Sequence, residues 1–203
     1  MRKLVVCALG ITTLLLALPA TGSAGLLTTG SASYCDEAEQ PFQPWGDNAY
    51  YILVPGGSFE TGTPRWALSG GAEIVAGNEP FRVEGADDSR SLRIPAGGSA
   101  TSPLVCFAFG DWHMRFFTKN AGTRLSSLEV DIIVPSLIGV LSVLDGGNVR
   151  ADGTWDPSPK VSALVSNVGG LAGTTRAVAF RFKSSMGASF QIDDVYLDPF
   201  KSH

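Results

Sequence analysis

From Ala49 onward the chain alternates short runs of β-branched and aromatic residues with Gly, Pro, Asn and Asp. This alternation of apolar runs with turn-forming residues predicts strands every roughly 8–15 residues, a spacing typical of a β-sandwich or barrel. With 24 Gly and 12 Pro in the sequence, long helices are disfavoured, and only residues 160–168 hold a short helical period. The candidate strands are AYYILVP, AEIVAG, FRVEG, SLRIP, SATSPLVCFAF, HMRFFTK, SLEVDIIVP, IGVLSVL, TRAVAFRFKS and SFQIDDVYL.

Alternate side chains of a strand point to opposite faces of its sheet. In HMRFFTK, SLEVDIIV and TRAVAFRFKS this period of two separates apolar from charged positions. The charged faces place Arg115 and Arg181 where they can pair with Glu129 and Asp131, which mildly stabilises neighbouring strands. The fold class predicted is all-β, a two-sheet antiparallel β-sandwich. The apolar faces predict these core residues: Met114, Phe116, Val130, Ile132, Val178, Phe180 and Phe182.

The first 24 residues have the pattern of a secretory signal peptide. Arg2 and Lys3 precede an apolar run over residues 4–18, and small residues then lead to a cleavage site after Ala24. A retained membrane anchor is the alternative, but a run of roughly 15 residues is shorter than the ~20 that span a bilayer. We therefore expect an exported, extracellular bacterial protein, either free or associated with the cell surface. The expected division is signal peptide 1–24, leader and strap 25–48, and β-sandwich domain 49–203.

Removal of this peptide leaves an acidic chain. Loss of Arg2 and Lys3 reduces the 15 basic residues to 13, against 19 acidic ones, so the net charge becomes −6. Nucleic acids and anionic lipid surfaces are bound by clustered positive charge, and no basic cluster occurs. The longest later apolar run, residues 137–144, is too short to span a membrane. The sequence therefore predicts neither nucleic acid as a partner nor membrane insertion of the mature protein.

Two of the three cysteines remain after export, because Cys7 lies in the signal peptide. An oxidising compartment and an even count predict one disulfide between Cys35 and Cys106. It would close a loop of about 70 residues, a stabilisation of roughly 4 kcal/mol in the chain-entropy description, and would pin the strap to the domain. Two free thiols or an exchanging redox pair are the alternatives, although the C-x-x-C spacing of redox pairs is absent.

Three stretches resemble the carbohydrate-binding-module-like jelly rolls of the galactose-binding-like superfold. GGSFETGTPRW (56–66) resembles their opening segment, in which a Trp enters the core; GADDSRSLRIP resembles an inner strand, and FQIDDVYL (190–197) their closing strand. The chain is also similar to secreted bacterial proteins of unsettled function that carry PWGD, LVPGGSFE and VAGNEPF segments. The resemblance covers about 150 residues and implies a jelly-roll-like sandwich. It is much more specific for fold than for function.

In many such jelly rolls a calcium ion lies where the opening and closing strands meet. The resemblance therefore implies a structural calcium ion with Glu60 and Asp193 as ligands, and with Asp194 as the alternative to Asp193. Strand alternation favours Asp193, on the expectation that it shares a face with Val195 and Leu197. In the competing interpretation Asp193 bonds to backbone N–H groups or to an arginine and no ion is present.

Glycan-binding modules of this kind stack aromatic faces on sugar rings. Trp66 lies where the family buries a tryptophan and Trp45 belongs to the strap, so Trp112 and Trp155, which lie beside turn residues, are the predicted ligand-binding pair. Catalysis has little support, since G-x-S-x-G and H-E-x-x-H motifs are absent. Carboxylates in turns are usually turn formers, so no catalytic residue is predicted.

Three functions remain open from the sequence. The first is a secreted, non-catalytic module that binds an extracellular or cell-wall glycan. The second is a structural or adhesive surface protein that binds another protein. The third and most remote is a glycan-active hydrolase, which would need two convergent carboxylates in a deep cleft.

Overall fold

The computed structural model describes residues 38–60, 66–107, 113–135, 141–162 and 176–198. These residues form thirteen strands and one 3-10 turn, Gln43–Trp45. No helix among them is long and apolar enough to cross a membrane. The strands are β1 (Ile52–Leu53), β2 (Ala67–Ser69), β3 (Glu73–Ala76), β4 (Arg90–Ile94), β5 (Ser99–Thr101), β6 (Val105–Phe107), β7 (His113–Asn120), β8 (Leu128–Pro135), β9 (Leu141–Val149), β10 (Asp156–Pro157), β11 (Val161–Ser162), β12 (Arg176–Ser184) and β13 (Phe190–Leu197).

The strands pair into two antiparallel sheets. The first sheet has the order β10-β7-β13-β4-β3, with β1 added on β13 and β11 on β7. The second has the order β2-β5-β12-β8-β9, with β6 added on β12. The predicted all-β, two-sheet sandwich is confirmed. Within the predicted helical segment 160–168, Val161–Ser162 is a strand instead, and residues 163–168 lie outside the described residues.

The inner faces of the two sheets enclose one large apolar core. Every strand with a clean apolar–polar alternation contributes its apolar side, because burying that side removes it from water. All seven predicted core residues are buried there, at 0–1% exposure. Trp66 is also buried, and its indole N–H donates to the carbonyl oxygen of Pro55 at 3.1 Å.

On the outer face of the second sheet, part of the predicted pairing between charged side chains is present. Arg181 lies opposite Asp131 and donates to it from Nε at 2.9 Å, and Lys183 pairs with Glu129 at 3.0 Å. The prediction for Arg115 is wrong, because β7 belongs to the other sheet. Arg115 instead donates to Asp47 of the strap at 2.9 Å.

A second, smaller aromatic cluster covers the outer face of the first sheet. Phe42, Tyr51, Phe117 and Tyr196 are all fully buried in it. Phe42 comes from the strap, and its ring lies 5.4 Å from that of Phe117. The described part of the strap therefore forms a third layer over the sandwich. Its proposed anchor stays a prediction, since Cys35 and the side chain of Cys106 lie outside the described residues.

The opening segment packs directly against the closing strand. Val54 N donates to Val195 O at 2.8 Å, and Val195 N donates to Gly57 O at 3.2 Å. A Cβ on Gly57 would lie 2.8 Å from Val54 O and 2.9 Å from Val195 O. Only glycine fits this approach, which brings the opening segment to the acidic end of β13.

Candidate functional site

A β-bulge in the closing strand places two aspartates side by side. The register of β13 against β7 shifts between Asp193 and Tyr196, and Asp194 has a φ of 46°, a conformation that Asp tolerates better than most residues. The expected alternation is interrupted, because Ile192 and Val195 both enter the main core. Asp193 therefore does not share a face with Val195, and both carboxylates are buried at 0% exposure.

The two aspartates have different surroundings. Asp193 Oδ2 accepts a hydrogen bond from Glu79 N at 3.2 Å, and its Oδ1 accepts one from Asp194 N at 3.0 Å. Both oxygens of Asp194 are buried without a hydrogen-bond partner among the described residues. Buried polar atoms are satisfied in the great majority of cases, so Asp194 has the local environment of a side chain that is completed by a ligand.

The connection between β3 and β4, residues 77–89, folds over these aspartates. Glu79 is fully buried, and its carboxylate accepts hydrogen bonds from Phe81 N and, at 2.8 Å, from Val83 N. Asp88 is 4% exposed; its Oδ2 accepts from Asn78 Nδ2 at 2.9 Å, whereas its Oδ1 has no partner among the described residues. One carboxylate oxygen each of Glu79, Asp88 and Asp194 lies within 4.8 Å of the others. We call these three residues the acidic cluster.

Glu60, from the opening segment, borders the acidic cluster. It accepts hydrogen bonds from Ser89 N and Arg90 N at the start of β4, at 2.7 and 2.5 Å. Its negative charge contributes to the raised pKa of Asp88. Opening segment, β3–β4 connection and closing strand therefore meet at one set of carboxylates.

The electrostatics of this region favour a bound cation. Burial, followed by repulsion from Asp88, raises the pKa of Asp193 to about 9; burial, followed by repulsion from Asp193, raises that of Asp194 to about 10. Burial is also the main reason that the pKa of Asp88 rises to about 6. Within the described residues these acids have no ion pair with a lysine or arginine. Several buried carboxylates without a compensating positive charge are costly unless protons or a metal neutralise them.

The residues present fit calcium. Calcium takes six to eight oxygen ligands, with carboxylates and carbonyls in flexible geometry, and oxygens at about 2.4 Å from one ion can be up to about 5 Å apart. The three oxygens of the acidic cluster satisfy this limit, and the unpartnered atoms of Asp88 and Asp194 are free to ligate. Glu79, Asp88 and Asp194 would hold the ion, which would supply the missing positive charge.

This arrangement differs in part from the ligand set that the sequence implies. Asp194, the alternative to Asp193, is a member of the acidic cluster, while Asp193 bonds to backbone N–H groups. Glu60 lies beside the cluster, and the Glu60–Asp193 pair stays a prediction. The sequence analysis does not single out Glu79 or Asp88, although GADDSRSLRIP, which contains Asp88, carries the family resemblance, and VAGNEPF, which contains Glu79, carries the similarity to secreted bacterial proteins. Their convergence depends on how the β3–β4 connection folds, which a pattern of strands does not specify.

Three aromatic side chains reach the surface from the outer cluster on the first sheet. Phe81 is 42% exposed, and its ring meets that of Trp45 edge to face at a centroid distance of 4.8 Å. Both rings rest on the buried Phe117, at 5.3 and 5.5 Å. Trp155 is half-buried and packs on the same cluster. We call Trp45, Phe81 and Trp155 the aromatic shelf.

Of the two predicted ligand-binding tryptophans, Trp155 belongs to the shelf and Trp112 lies outside the described residues. The ammonium group of Lys119 lies 4.8 Å from the centre of a Trp155 ring, a cation–π contact that fixes the indole and covers part of one face. Trp45 and Phe81 were not predicted. Trp45 is only partly buried because Phe42, from the same strap, takes the fully buried position.

The conformation of the β3–β4 connection explains why Phe81 is exposed. Arg82 has a φ of 53°, which is uncommon for a residue with a Cβ and persists when surrounding contacts hold it. Here the contacts are the hydrogen bonds from Phe81 N and Val83 N to Glu79 on one side. On the other side the Glu84 carboxylate accepts a hydrogen bond from the hydroxyl of the buried Tyr196. The loop is therefore fixed at both ends with Phe81 at its outer turn.

Comparisons with known proteins agree with the architecture. No protein-family model and no curated protein sequence matches the chain. Among solved structures, the chain is similar to the N-terminal CBM22-1–CBM22-2 tandem domain of Xyn10C from Paenibacillus barcinonensis, with a TM-score of 0.50 and 14% identity over 76% of this chain and 46% of that one. The CBM22-1 xylan-binding domain of the same protein gives a TM-score of 0.48 and 12% identity, over 70% of this chain and 89% of that one.

A further similarity is to the enzymatically active domain of tailspike protein 4 from bacteriophage CBA120. Its TM-score is 0.50 and its identity 14%, over 73% of this chain and 21% of that one. Similarity at such low identity concerns the fold alone. The chain has the jelly-roll-like β-sandwich of carbohydrate-binding modules, as the sequence resemblance predicts.

Proposed function

We propose that the protein is a secreted, non-catalytic module that binds an extracellular or cell-wall glycan through the aromatic shelf. The observation that carries this proposal is the exposed Phe81, held against Trp45 above a buried aromatic cluster. Exposed aromatic side chains on a rigid support offer apolar area at low entropic cost, which suits the apolar faces of sugar rings. The carbohydrate-binding fold supports the proposal by analogy, and Trp112 is retained as a predicted contact.

In the same proposal, a calcium ion in the acidic cluster has a structural role. It neutralises buried charge where the opening segment, the β3–β4 connection and the closing strand meet. Because Glu79 also accepts hydrogen bonds from the backbone on either side of Arg82, the ion would stabilise the loop that presents Phe81. It would take no part in chemistry.

The glycan proposal is tested by affinity electrophoresis in gels containing single polysaccharides and by retention on insoluble cell-wall preparations. Phe81→Ala, Trp45→Ala and Trp155→Ala remove the three shelf side chains one at a time. Burying a side chain of this size against a ligand is worth about 1.5–3 kcal/mol, so each substitution should weaken retention about tenfold or more. Val143→Ala is the control, since Val143 is 49% exposed and lies on β9 of the second sheet, whereas the shelf lies on the first.

The result also separates the proposal from its two alternatives. Retention on a polysaccharide that all three shelf variants leave unchanged would reject the shelf as the site. Retention on no polysaccharide, with a protein recovered by crosslinking at the cell surface, would favour an adhesive role. Release of reducing sugar from the retained polymer would favour a hydrolase, although Asp152 and Asp156 both bond to Thr154 in a turn, as turn-forming carboxylates do.

A further inference from the structure

An open depression lies at the edge of the sandwich, where the end of β9 faces β10. Its volume is about 340 Å³, at the lower end of the range for small-ligand sites. Six of the eight described residues that line it have polar or charged side chains. The residues used below are Thr118, Arg124, Arg150, Asp152, Asp156 and Ser158.

The floor of the depression is rigid. Thr118 and Ser158 are 2% and 1% exposed. The hydroxyl of Thr118 donates to Gln191 O at 3.1 Å, and that of Ser158 donates to Pro159 O at 2.9 Å while accepting from Phe116 N at 3.2 Å. The floor is therefore part of the β7–β10 pairing and does not depend on a mobile loop.

The charged side chains around the rim differ in how far neighbouring groups compensate them. Asp152 accepts hydrogen bonds from the N–H and the hydroxyl of Thr154, and the guanidinium of Arg124 lies 3.6 Å from its other oxygen. The charges of Asp152 and Arg124 thus compensate each other. Arg150 has no ion pair or hydrogen bond within the described part of the chain. Asp156 accepts one hydrogen bond, from the Thr154 hydroxyl at 3.2 Å, which leaves its second oxygen available.

We propose that this depression is a subsite for a sugar unit that bears a carboxylate, such as a hexuronic acid, with Arg150 as the group that binds the carboxylate. A guanidinium offers two parallel N–H donors that match the two oxygens of a carboxylate. Asp156 accepts a hydroxyl of the same sugar ring, and the rigid floor supports the ring. The inference rests on the proposed glycan-binding function and names the class of glycan.

The test is affinity electrophoresis of the full mature chain in polygalacturonate and, separately, in neutral galactan and neutral xylan. Arg150→Gln removes the positive charge and the two parallel N–H donors of the guanidinium. Hydrogen bonds to charged groups are worth about 1.5–3 kcal/mol, so retention by polygalacturonate should fall roughly 10- to 100-fold, with Arg150→Lys in between. Arg93→Gln is the control, because Arg93 is an exposed arginine on β4 that does not line the depression. Wild-type retention should also decline from 50 to 500 mM NaCl, because salt screens an exposed charge pair.

Each outcome has a defined meaning. Selective loss of polygalacturonate retention in Arg150→Gln, with Arg93→Gln unchanged, supports the subsite. Equal retention of wild type and Arg150→Gln by polygalacturonate overturns it, as does retention by neutral polymers alone, and in both cases the glycan-binding function stands. Absence of retention by every polysaccharide overturns the proposed function and the subsite together. Melting curves of the variants confirm that a loss of retention is not a loss of folding.

Discussion

The backbone N–H of Phe81 donates a hydrogen bond to the carboxylate of Glu79, so the most exposed ring of the aromatic shelf is attached to a member of the acidic cluster. Few contacts separate the candidate calcium site from the candidate glycan surface. Interactions that fix one conformation of Glu79 also restrict the loop that carries Phe81. Cation binding and glycan binding are therefore expected to be linked.

The first prediction concerns this linkage. Chelation of divalent cations should weaken retention on a bound polysaccharide, because the loop around Arg82 loses part of its support, and added calcium should restore it. Affinity electrophoresis with EDTA and then with excess calcium measures the effect. The Phe81→Ala variant should show a smaller dependence on calcium than the wild type. Equal retention with EDTA and with calcium would show that the two sites are independent.

The second prediction concerns the cation itself and uses Asp194→Asn. Both Asp194 oxygens lack hydrogen-bond partners among the described residues, so the amide removes a candidate anionic ligand of the cation without removing an observed contact. In EDTA this variant should melt at a temperature equal to or above that of the wild type. With calcium the wild type should gain several degrees, because a ligand of the folded state stabilises it, and the variant should gain little.

Asp87→Asn provides the comparison for that experiment. Asp87 is an exposed residue of the same β3–β4 connection and is not part of the acidic cluster. Its response to calcium should equal that of the wild type. If Asp194→Asn gains as much from calcium as Asp87→Asn does, the acidic cluster is not the binding site.

The third prediction is that the stability of the metal-free protein falls with rising pH, whereas the stabilisation by calcium grows. The pKa values of Asp193 and Asp194 are raised from 3.8 to about 9 and about 10, so between these limits the folded state binds more protons than the unfolded state. The stability of the metal-free protein should therefore fall as pH rises from about 4 towards 9. Metal ligands must be deprotonated, so the stabilisation by calcium should be larger at pH 8 than at pH 5. Melting curves at both pH values, with EDTA and with calcium, measure the two trends; a metal-free protein that melts higher at pH 8 than at pH 5 contradicts the assignment.

How far the sequence predicts this fold depends on whether a feature is local. The alternation in β7, β8 and β12 identifies core residues such as Phe116, Val130 and Phe180, because a period of two is a property of each strand alone. The pairing of strands is not local. Arg115 has the same pattern as Arg181, yet it lies in the other sheet and binds Asp47, and no strand pattern contains that information.

The candidate metal site also depends on features that are not local in the sequence. The family resemblance points to the end of the closing strand where the acidic cluster lies, but a single bulge places Asp194 in the cluster and Asp193 against backbone N–H groups. A bulge inserts one residue into a strand and so reverses the faces beyond it. Glu79 and Asp88 flank FRVEG, which the sequence pattern predicts to be a strand but which lies in the β3–β4 connection. They could therefore be located only once the path of that connection was known.

The fourth prediction concerns the contact between strap and sheet. Asp47 is 7% exposed and accepts hydrogen bonds from Tyr51 Oη at 2.7 Å and Arg115 at 2.9 Å, with Lys160 at 3.0 Å. Burial alone would raise its pKa, but these partners outweigh it and lower the pKa to about 2. Asp47→Asn leaves a largely buried arginine without its counter-charge, so the free energy of unfolding should fall by about 3 kcal/mol.

The contribution of Asp47 also has a defined pH range. A lowered pKa adds stability that is fully present above the unfolded value of 3.8 and is lost as pH falls towards 2. The stability difference between wild type and Asp47→Asn should therefore shrink below about pH 4. Urea unfolding at pH 7 and pH 3 measures it, and Glu73→Gln, which removes an exposed ion pair with Arg93, should change stability little at either pH. A constant difference across this range would mean that the charge of Asp47 is not what stabilises the strap.

The fifth prediction tests the junction between the opening and closing segments. Gly57→Ala introduces a Cβ within 3 Å of two backbone carbonyl oxygens, those of Val54 and Val195. Backbone atoms cannot move aside as a flexible side chain can, so we expect a loss of about 1–3 kcal/mol in the free energy of unfolding. Gly153→Ala is the matched control, since no atom lies within 4 Å of a Cβ at that position. Because Val195 follows Asp194 directly, Gly57→Ala should also weaken the response of the melting temperature to calcium, whereas Gly153→Ala should not. A Gly57→Ala protein with wild-type stability would show that the opening segment does not lie this close to the closing strand.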